Sequence, residues 1–278
     1  MRKLWGFINM VGLLLVAGGF IAKSAVLIGL GIAVAALAQW QKGRAEKAHR
    51  EQAQTTSVRP ALQSVFDTAD YQPDARLSNL DITPMQLLLH QDYHYVDGCD
   101  KITATHHGVS VLLGNVRLME TETFRDEETN LERTNEKEVW QGLMLTCKVG
   151  HAFPAGFAIA PRGKMDGLLR YADMKTENEA FDKRFTVKTD NPEAALLTLT
   201  PQMQEKILDA ANASPGAFFV TFCQDGRVSA AVRTGRNFFV PDKKAEGGER
   251  LAENLRKILA IIDEADPIAP VKAQEGAD

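Results

Sequence analysis

The stretch AFFVTFCQDGRVSAAVRT, residues 217–234, decides the fold of the soluble part of this chain. Two strand-like runs, Ala217 to Cys223 and Arg227 to Thr234, flank Gln224-Asp225-Gly226. Asp-Gly is a strong hairpin signal because the tight turn needs positive φ, which these residues tolerate. An antiparallel sheet is therefore predicted around this turn.

Working outward, Glu249 to Ala265 places Leu251, Leu255, Ile258 and Ile262 on one stripe. That periodicity predicts an amphipathic helix packed on the sheet. The tail, 266–278, is predicted to be disordered. Upstream, Asn191-Pro192 and Thr200-Pro201 each place a capping side chain before a proline, which predicts helices over Pro192 to Leu199 and Pro201 to Ala213. Phe181 to Thr189 alternates and predicts a strand; Phe157 to Ala160 and Val139 to Val149 predict two more. Lys101 to Thr105 and Val109 to Met119, either side of His106-His107-Gly108, predict a hairpin. Thr123 to Glu138 is dominated by charge and is expected to be an exposed, mobile loop. Thr83-Pro84 predicts a short helix running through Leu87 to Leu89, and Ala61 to Ala69 a further helix before a turn-rich passage, Asp70 to Asp81. The sum is an α+β domain, mainly antiparallel, over 83–265, with possible subdomains at 83–175 and 176–265.

The first forty residues differ in kind. Leu4 to Ala22 is apolar, Lys23-Ser24 interrupts, and Ala25 to Ala38 is apolar again. About twenty apolar residues cross a bilayer core as a helix. Lys23-Ser24 permits only a tight connection, so a transmembrane helical hairpin over 1–40 is predicted, contacting the lipid bilayer through residues 4–40. Gly18 and Ala22 on the first span, and Ala25, Gly29 and Ala33 on the second, form small-residue faces for close packing. A cleaved signal peptide fits less well, because Lys23 would occupy a position that wants a small residue. A single tilted helix would bury Lys23, at roughly 3 kcal/mol. Arg2 and Lys3 before the spans, and Lys42, Arg44, Lys47 and Arg50 after them, put both termini in the cytoplasm by the positive-inside rule. Residues 41–82 are then a juxtamembrane helix and linker.

Composition bounds the function. The 278 residues are 45% hydrophobic and 24% charged, with a formal net charge of −4. No basic excess exists beyond the juxtamembrane segment, so nucleic acid is not an expected partner. Cys99, Cys147 and Cys223 are odd in number and lack Cys-x-x-Cys spacing, which argues against a disulfide framework or thiolate metal site and fits a reducing compartment.

Three passages resemble a bacterial family known as domain of unknown function 3137, which joins a membrane hairpin to an α+β region. They are Val139-Trp140-Gln141-Gly142-Leu143, Phe181-Asp182-Lys183-Arg184-Phe185-Thr186-Val187 with Thr189-Asp190, and Leu197-Thr198-Leu199-Thr200-Pro201. The resemblance runs roughly from the anchor to Val240. It implies an inner (plasma) membrane location and this fold, and it carries over no catalytic or binding residue.

Candidate chemistry is sparse. His90 and His94 share a helical face if the Thr83 helix extends so far, a two-ligand metal spacing that Asp92, Asp97 or Cys99 would complete. Tyr93 to Val96 turns strand-like, which favours the plainer reading of surface or hydrogen-bonded histidines. His106-His107-Gly108 reads as a turn. Cys147 and Cys223 sit in apolar strands, where a thiol is a small buried hydrophobe. No Gly-x-Ser-x-Gly or phosphate-cradling loop occurs. No catalytic residue, cofactor or metal is therefore assigned, and the chain is expected to be a non-enzymatic binding or scaffold module with a protein partner. The alternatives are a membrane-tethered hydrolase or metal-dependent enzyme, and an accessory subunit assembled through the hairpin.

Overall fold

The structure, a computed structural model, describes residues 26, 36, 54–85, 93–125, 132–163, 172–240 and 247–266. Apart from Val26 and Ala36, both helical, the predicted transmembrane hairpin lies outside these residues, with Gly18, Ala22, Ala25, Gly29 and Ala33. So do His90, Asp92 and the tail beyond Asp266. Among the described residues no helix is long and apolar enough to cross a membrane. The chain divides into two compact units, Met1–Thr55 and Thr56–Asp278, and the second holds the sheet.

Among the described residues nine strands form one sheet in the order β1-β2-β3-β4-β9-β8-β5-β7-β6. They are β1 (Thr68–Gln72), β2 (Tyr95–His106), β3 (Val109–Arg125), β4 (Glu132–Lys148), β5 (Phe157–Pro161), β6 (Ala172–Met174), β7 (Phe185–Thr189), β8 (Ala217–Phe222) and β9 (Arg227–Arg233). Every pairing is antiparallel. The Asp225-Gly226 hairpin is present, with Gly226 at φ 84°. The predicted mainly antiparallel α+β architecture is thus observed.

Among the described residues of the second unit the α-helices are α1 (Arg59–Gln63), α2 (Asn79–Ile82), α3 (Glu179–Arg184), α4 (Pro192–Thr198), α5 (Pro201–Ala213) and α6 (Gly247–Ala265). The cap-then-proline signals hold: Asn191 accepts from Ala194 N and Thr200 from Met203 N, both at 3.1 Å. Leu251, Leu255, Ile258 and Ile262 of α6 are all buried, each contributing about 2 kcal/mol of apolar transfer. With Leu62, Ile207 and the inward residues of the strands they form the larger core. A smaller core on separate sheet residues gathers Leu77, Ile82, Met85, Val116, Leu118, Trp140 and Met144. Met85 is held there by Thr221, whose Oγ1 donates to its carbonyl at 2.8 Å.

Four local expectations are corrected. The charged segment 123–138 is not simply a loop: β3 reaches Arg125 and β4 begins at Glu132. Its charges are arranged across the strands, with Glu120 opposite Lys137 and Arg125 opposite Glu132, a pairing that stabilises a ribbon without a core. The predicted strand 181–189 is half helix. Phe181 and Phe185 lie four apart, a helical spacing, and Asn178 caps α3 by accepting from Phe181 N at 3.1 Å; the strand begins only at Phe185. The helix expected from Thr83 is preceded by one whose capping box has Ser78 and Asp81 satisfying each other's backbone N–H; Thr83–Met85 itself is 3-10, and Leu87 to Leu89 lie outside the described residues. Finally, Ala61 to Ala69 is not one helix. Ser64 folds back onto the Ala61 carbonyl at 2.9 Å, and Thr68–Gln72 joins the sheet, although the sequence places it in a linker.

Candidate functional sites

The residues proposed around His94 do not converge in the described structure. His94 sits just before β2, where its Nδ1 accepts from the backbone N of Thr121 at 2.7 Å. Asp97 is engaged with Arg117 at 2.9 Å and Arg76 at 3.4 Å. Cys99 belongs to a buried polar network instead. Asp100, 2% exposed and at φ 59°, accepts from Tyr71 Oη at 2.6 Å, from Asn237 Nδ2 at 2.8 Å and from the Cys99 thiol at 2.9 Å. Asn115 accepts from Phe238 N at 3.1 Å, and Asn237 from Phe239 N at 2.8 Å. These bonds tie the segment after β9 to a bulge in β2 between Cys99 and Ile102. Sequence reasoning missed this network, because Tyr71, Asp100, Asn115 and Asn237 share no spacing.

The other two cysteines are inert by position. Burial pushes the Cys147 thiol up to about 12, with a contribution from Asp266 and against a hydrogen bond involving Val228. Burial also pushes Cys223 up, helped by Asp225. Neither is poised as a nucleophile, since the thiolate is the reactive form.

Two features stand out from the packed fold. The first is the ribbon of β3 and β4. Partners from the rest of the sheet stop at Met119 on β3, which faces Tyr95, and at Gly142 on β4, which faces Arg233. Beyond them, Glu120–Arg125 and Glu132–Lys137 have no strand partner but each other, for about 20 Å at strand rise. Every residue from Glu132 to Glu138 is exposed. Between positions 119 and 138 the sequence carries eight acidic and three basic residues.

The second is at the β2–β3 turn. His106 Nε2 and His107 Nδ1 each lie 2.9 Å from the same oxygen, Oδ1 of Asp263 in the last turn of α6. The two imidazoles stack with centroids 4.1 Å apart, and one ligand atom from each of the three residues lies within 4.8 Å of the others. His106 is buried, with its Nδ1 3.3 Å from the Val65 carbonyl. His107 and Asp263 are 51% and 40% exposed. The sequence identifies the two histidines only as a turn. Asp263 lies 157 residues from His106, a distance that leaves no local signal. A separate shallow cleft of about 430 Å³ lies between the end of α5 and the start of α6, lined by Asn212, Glu249, Arg250, Glu253 and Asn254.

The passages that carry the family resemblance have physical roles. A Cβ on Gly142 would lie 1.9 Å from the Val232 carbonyl oxygen of β9, so only glycine permits this approach. Phe181, Phe185 and Val187 are buried. Asp182 accepts from Thr176 N and Oγ1 at 3.0 Å, bracing the entry to α3. Leu199 is buried and Thr200 caps α5.

Residues 138–266 match the family described as Protein of unknown function (DUF3137). The match contains all three passages and extends past Val240 through α6. The matched segment thus begins at the root of the ribbon on β4 and leaves β1 to β3 outside it. Among solved structures, the crystal structure of the mycobacterial trehalose monomycolate transport factor A, TtfA, aligns over 77% of this chain and 95% of that one, with 11% identity and a TM-score of 0.39. No curated protein matches the chain.

Proposed function

We propose that this protein is a membrane-anchored binding module. In this reading residues 1–40 form the transmembrane hairpin, both termini face the cytoplasm, and the domain presents the β3–β4 ribbon to a protein partner. The observation that carries the reading is the ribbon itself. It continues a strand pair past every neighbour in the sheet, and every residue of β4 from Glu132 to Glu138 is exposed there. An arm that buries little within its own domain is suited to burying surface against another molecule, and its acidic excess favours a basic partner segment. The anchor is supported by the length of the two apolar runs and by the basic flanks.

The test uses the full chain in its native membrane. A photo-crosslinking residue at Glu136, on the ribbon, is compared with one at Lys206, on the exposed side of α5. A discrete protein adduct from position 136, absent from 206 and lost on raising the salt concentration, is expected. Equal labelling from both positions would sink the ribbon as a docking arm. A reporter fused after Asp278 that is active only outside the cytoplasm would overturn the orientation.

A further inference from the structure

We propose that His106, His107 and Asp263 bind a first-row divalent cation of the zinc class, which clips the β2–β3 turn to the end of α6. The inference goes beyond the ribbon reading and does not depend on it.

Convergence of the three side chains is built rather than incidental. Consecutive residues of a strand point to opposite faces, so adjacent histidines in an ordinary strand cannot share a ligand. Here His107 adopts φ 47° and Gly108 φ 83°, the paired positive values of a tight hairpin turn that favours Asn-Gly. A histidine in the first of these positions accepts backbone strain of about 1–2 kcal/mol. That conformation brings the second imidazole beside the first, stacked at 4.1 Å, and aims both rings at Asp263 Oδ1.

The hydrogen-bond inventory at His106 points the same way. In the tautomer that holds its hydrogen on Nδ1, that N–H donates to the Val65 carbonyl at 3.3 Å. In the neutral ring this leaves Nε2 as a lone pair, and that lone pair faces the carboxylate oxygen of Asp263 at 2.9 Å. With the hydrogen on Nε2 the ring simply donates to Asp263; with it on Nδ1, two acceptors at that distance require a positive centre. A metal ion supplies one, and the Nδ1–H to carbonyl bond is the outer-shell support that ligating histidines commonly have. A second proton on the imidazole is the competing source, and the experiment separates the two.

Distances and charge suit the cation. Zinc–ligand bonds of about 2.0–2.1 Å place tetrahedral ligand atoms about 3.3 Å apart, so the observed 2.9 Å pairs need to part by only a few tenths of an ångström. The last turn of α6 carries no basic residue and ends in Asp263 and Glu264, followed by Asp266. The carbonyl end of a helix adds further negative potential. Two imidazoles with one carboxylate select zinc-like ions over calcium or magnesium, which prefer all-oxygen shells. The partial exposure of His107 and Asp263 leaves room for water to complete the shell.

The test is Zn²⁺ and Co²⁺ binding by the metal-stripped full chain in detergent. A single equivalent of Zn²⁺ is expected, with Co²⁺ giving visible bands of a low-coordinate nitrogen and oxygen site. Two variants are His107→Asn, which suits the turn and removes an imidazole, and Asp263→Asn, which keeps the shape and removes the charge. Each should weaken Zn²⁺ binding by roughly tenfold or more, while His94→Ala leaves it unchanged. Zn²⁺ should raise the melting temperature of the parent chain and not that of either variant. Because His107→Asn should melt at or above the metal-free parent, lost binding cannot be attributed to unfolding. Absence of saturable Zn²⁺ or Co²⁺ binding, which would leave a proton as the positive centre, overturns the proposal. So does equal affinity in the parent and both variants.

Discussion

The two halves of the β3–β4 pair make an instructive contrast. From Val111 to Leu118 and from Trp140 to Cys147 the strands lie inside the sheet, and most of their side chains are buried. Past Met119 the same strands continue, with Glu122, Thr123 and Arg125 of β3 and all of Glu132 to Glu138 of β4 exposed. The strands stay paired across the boundary, where a register shift between Leu118 and Met119 skips Val139. What changes is the source of stability, from apolar burial to cross-strand pairs. One segment secures the fold; the other is the arm proposed above for a partner.

Substitutions sharpen that contrast. Leu113→Ala, at a fully buried position in the larger core, should cost about 2–5 kcal/mol, read as a lower denaturation midpoint. Asp100→Ala should cost roughly 2–3 kcal/mol, since it leaves the Tyr71 hydroxyl and the Asn237 amide without their acceptor. A cost near zero there would show that water replaces the carboxyl. At the small end, Lys137→Ala removes an exposed pair with Glu120 at 3.5 Å and should change stability by about 0.5 kcal/mol or less. If Lys137→Ala matched Leu113→Ala in a denaturant titration, the ribbon would be part of the cooperative core and the contrast would fail.

Two pH effects fall between these extremes. Cys147 is held near 12 in the folded chain against an ordinary 9.0. The unfolded thiol therefore loses its proton first, and stability should be complete below pH 9 and decline as pH rises toward 12. Cys147→Ala should flatten that alkaline decline in a melting series. Asp81 behaves oppositely. Partial burial pushes its carboxyl up, but hydrogen bonds from Ser78 and the charge of Lys101 outweigh this and hold it below the ordinary value. Its contribution is present above the ordinary carboxylate range, about pH 4, and should be lost as pH falls below it. Asp81→Asn should remove that part of the acid dependence.

Much of the fold was legible because the signals are local. Asp225-Gly226, Asn191-Pro192, Thr200-Pro201 and the Leu251-to-Ile262 stripe each act within a few residues. The errors share a cause as well. Phe181 and Phe185 satisfy an alternating and a helical pattern at once, and only the Asn178 cap decides between them. The charges of 123–138 look like a solvated loop until their cross-strand register is known. The site at His106 and the network at Asp100 were illegible for a different reason. Each depends on partners that the sheet and α6 bring together from distant sequence, and composition offers no trace of such meetings.

The single seam between β4 and β9 has a consequence for how the chain is made. Seven residue pairs, from Gly142 opposite Arg233 to Lys148 opposite Arg227, join one half of the sheet to the other. Strands β1 to β4 pair with near neighbours in sequence and can associate while the rest of the chain is still on the ribosome. The outer edge of β4 then waits, with its backbone donors open, until β9 has been synthesised. Long-range closure of this kind is slow, and an open edge invites pairing with other chains. Gly142 adds to this exposure, because the close approach it permits to β9 leaves its own position on that edge without a side chain.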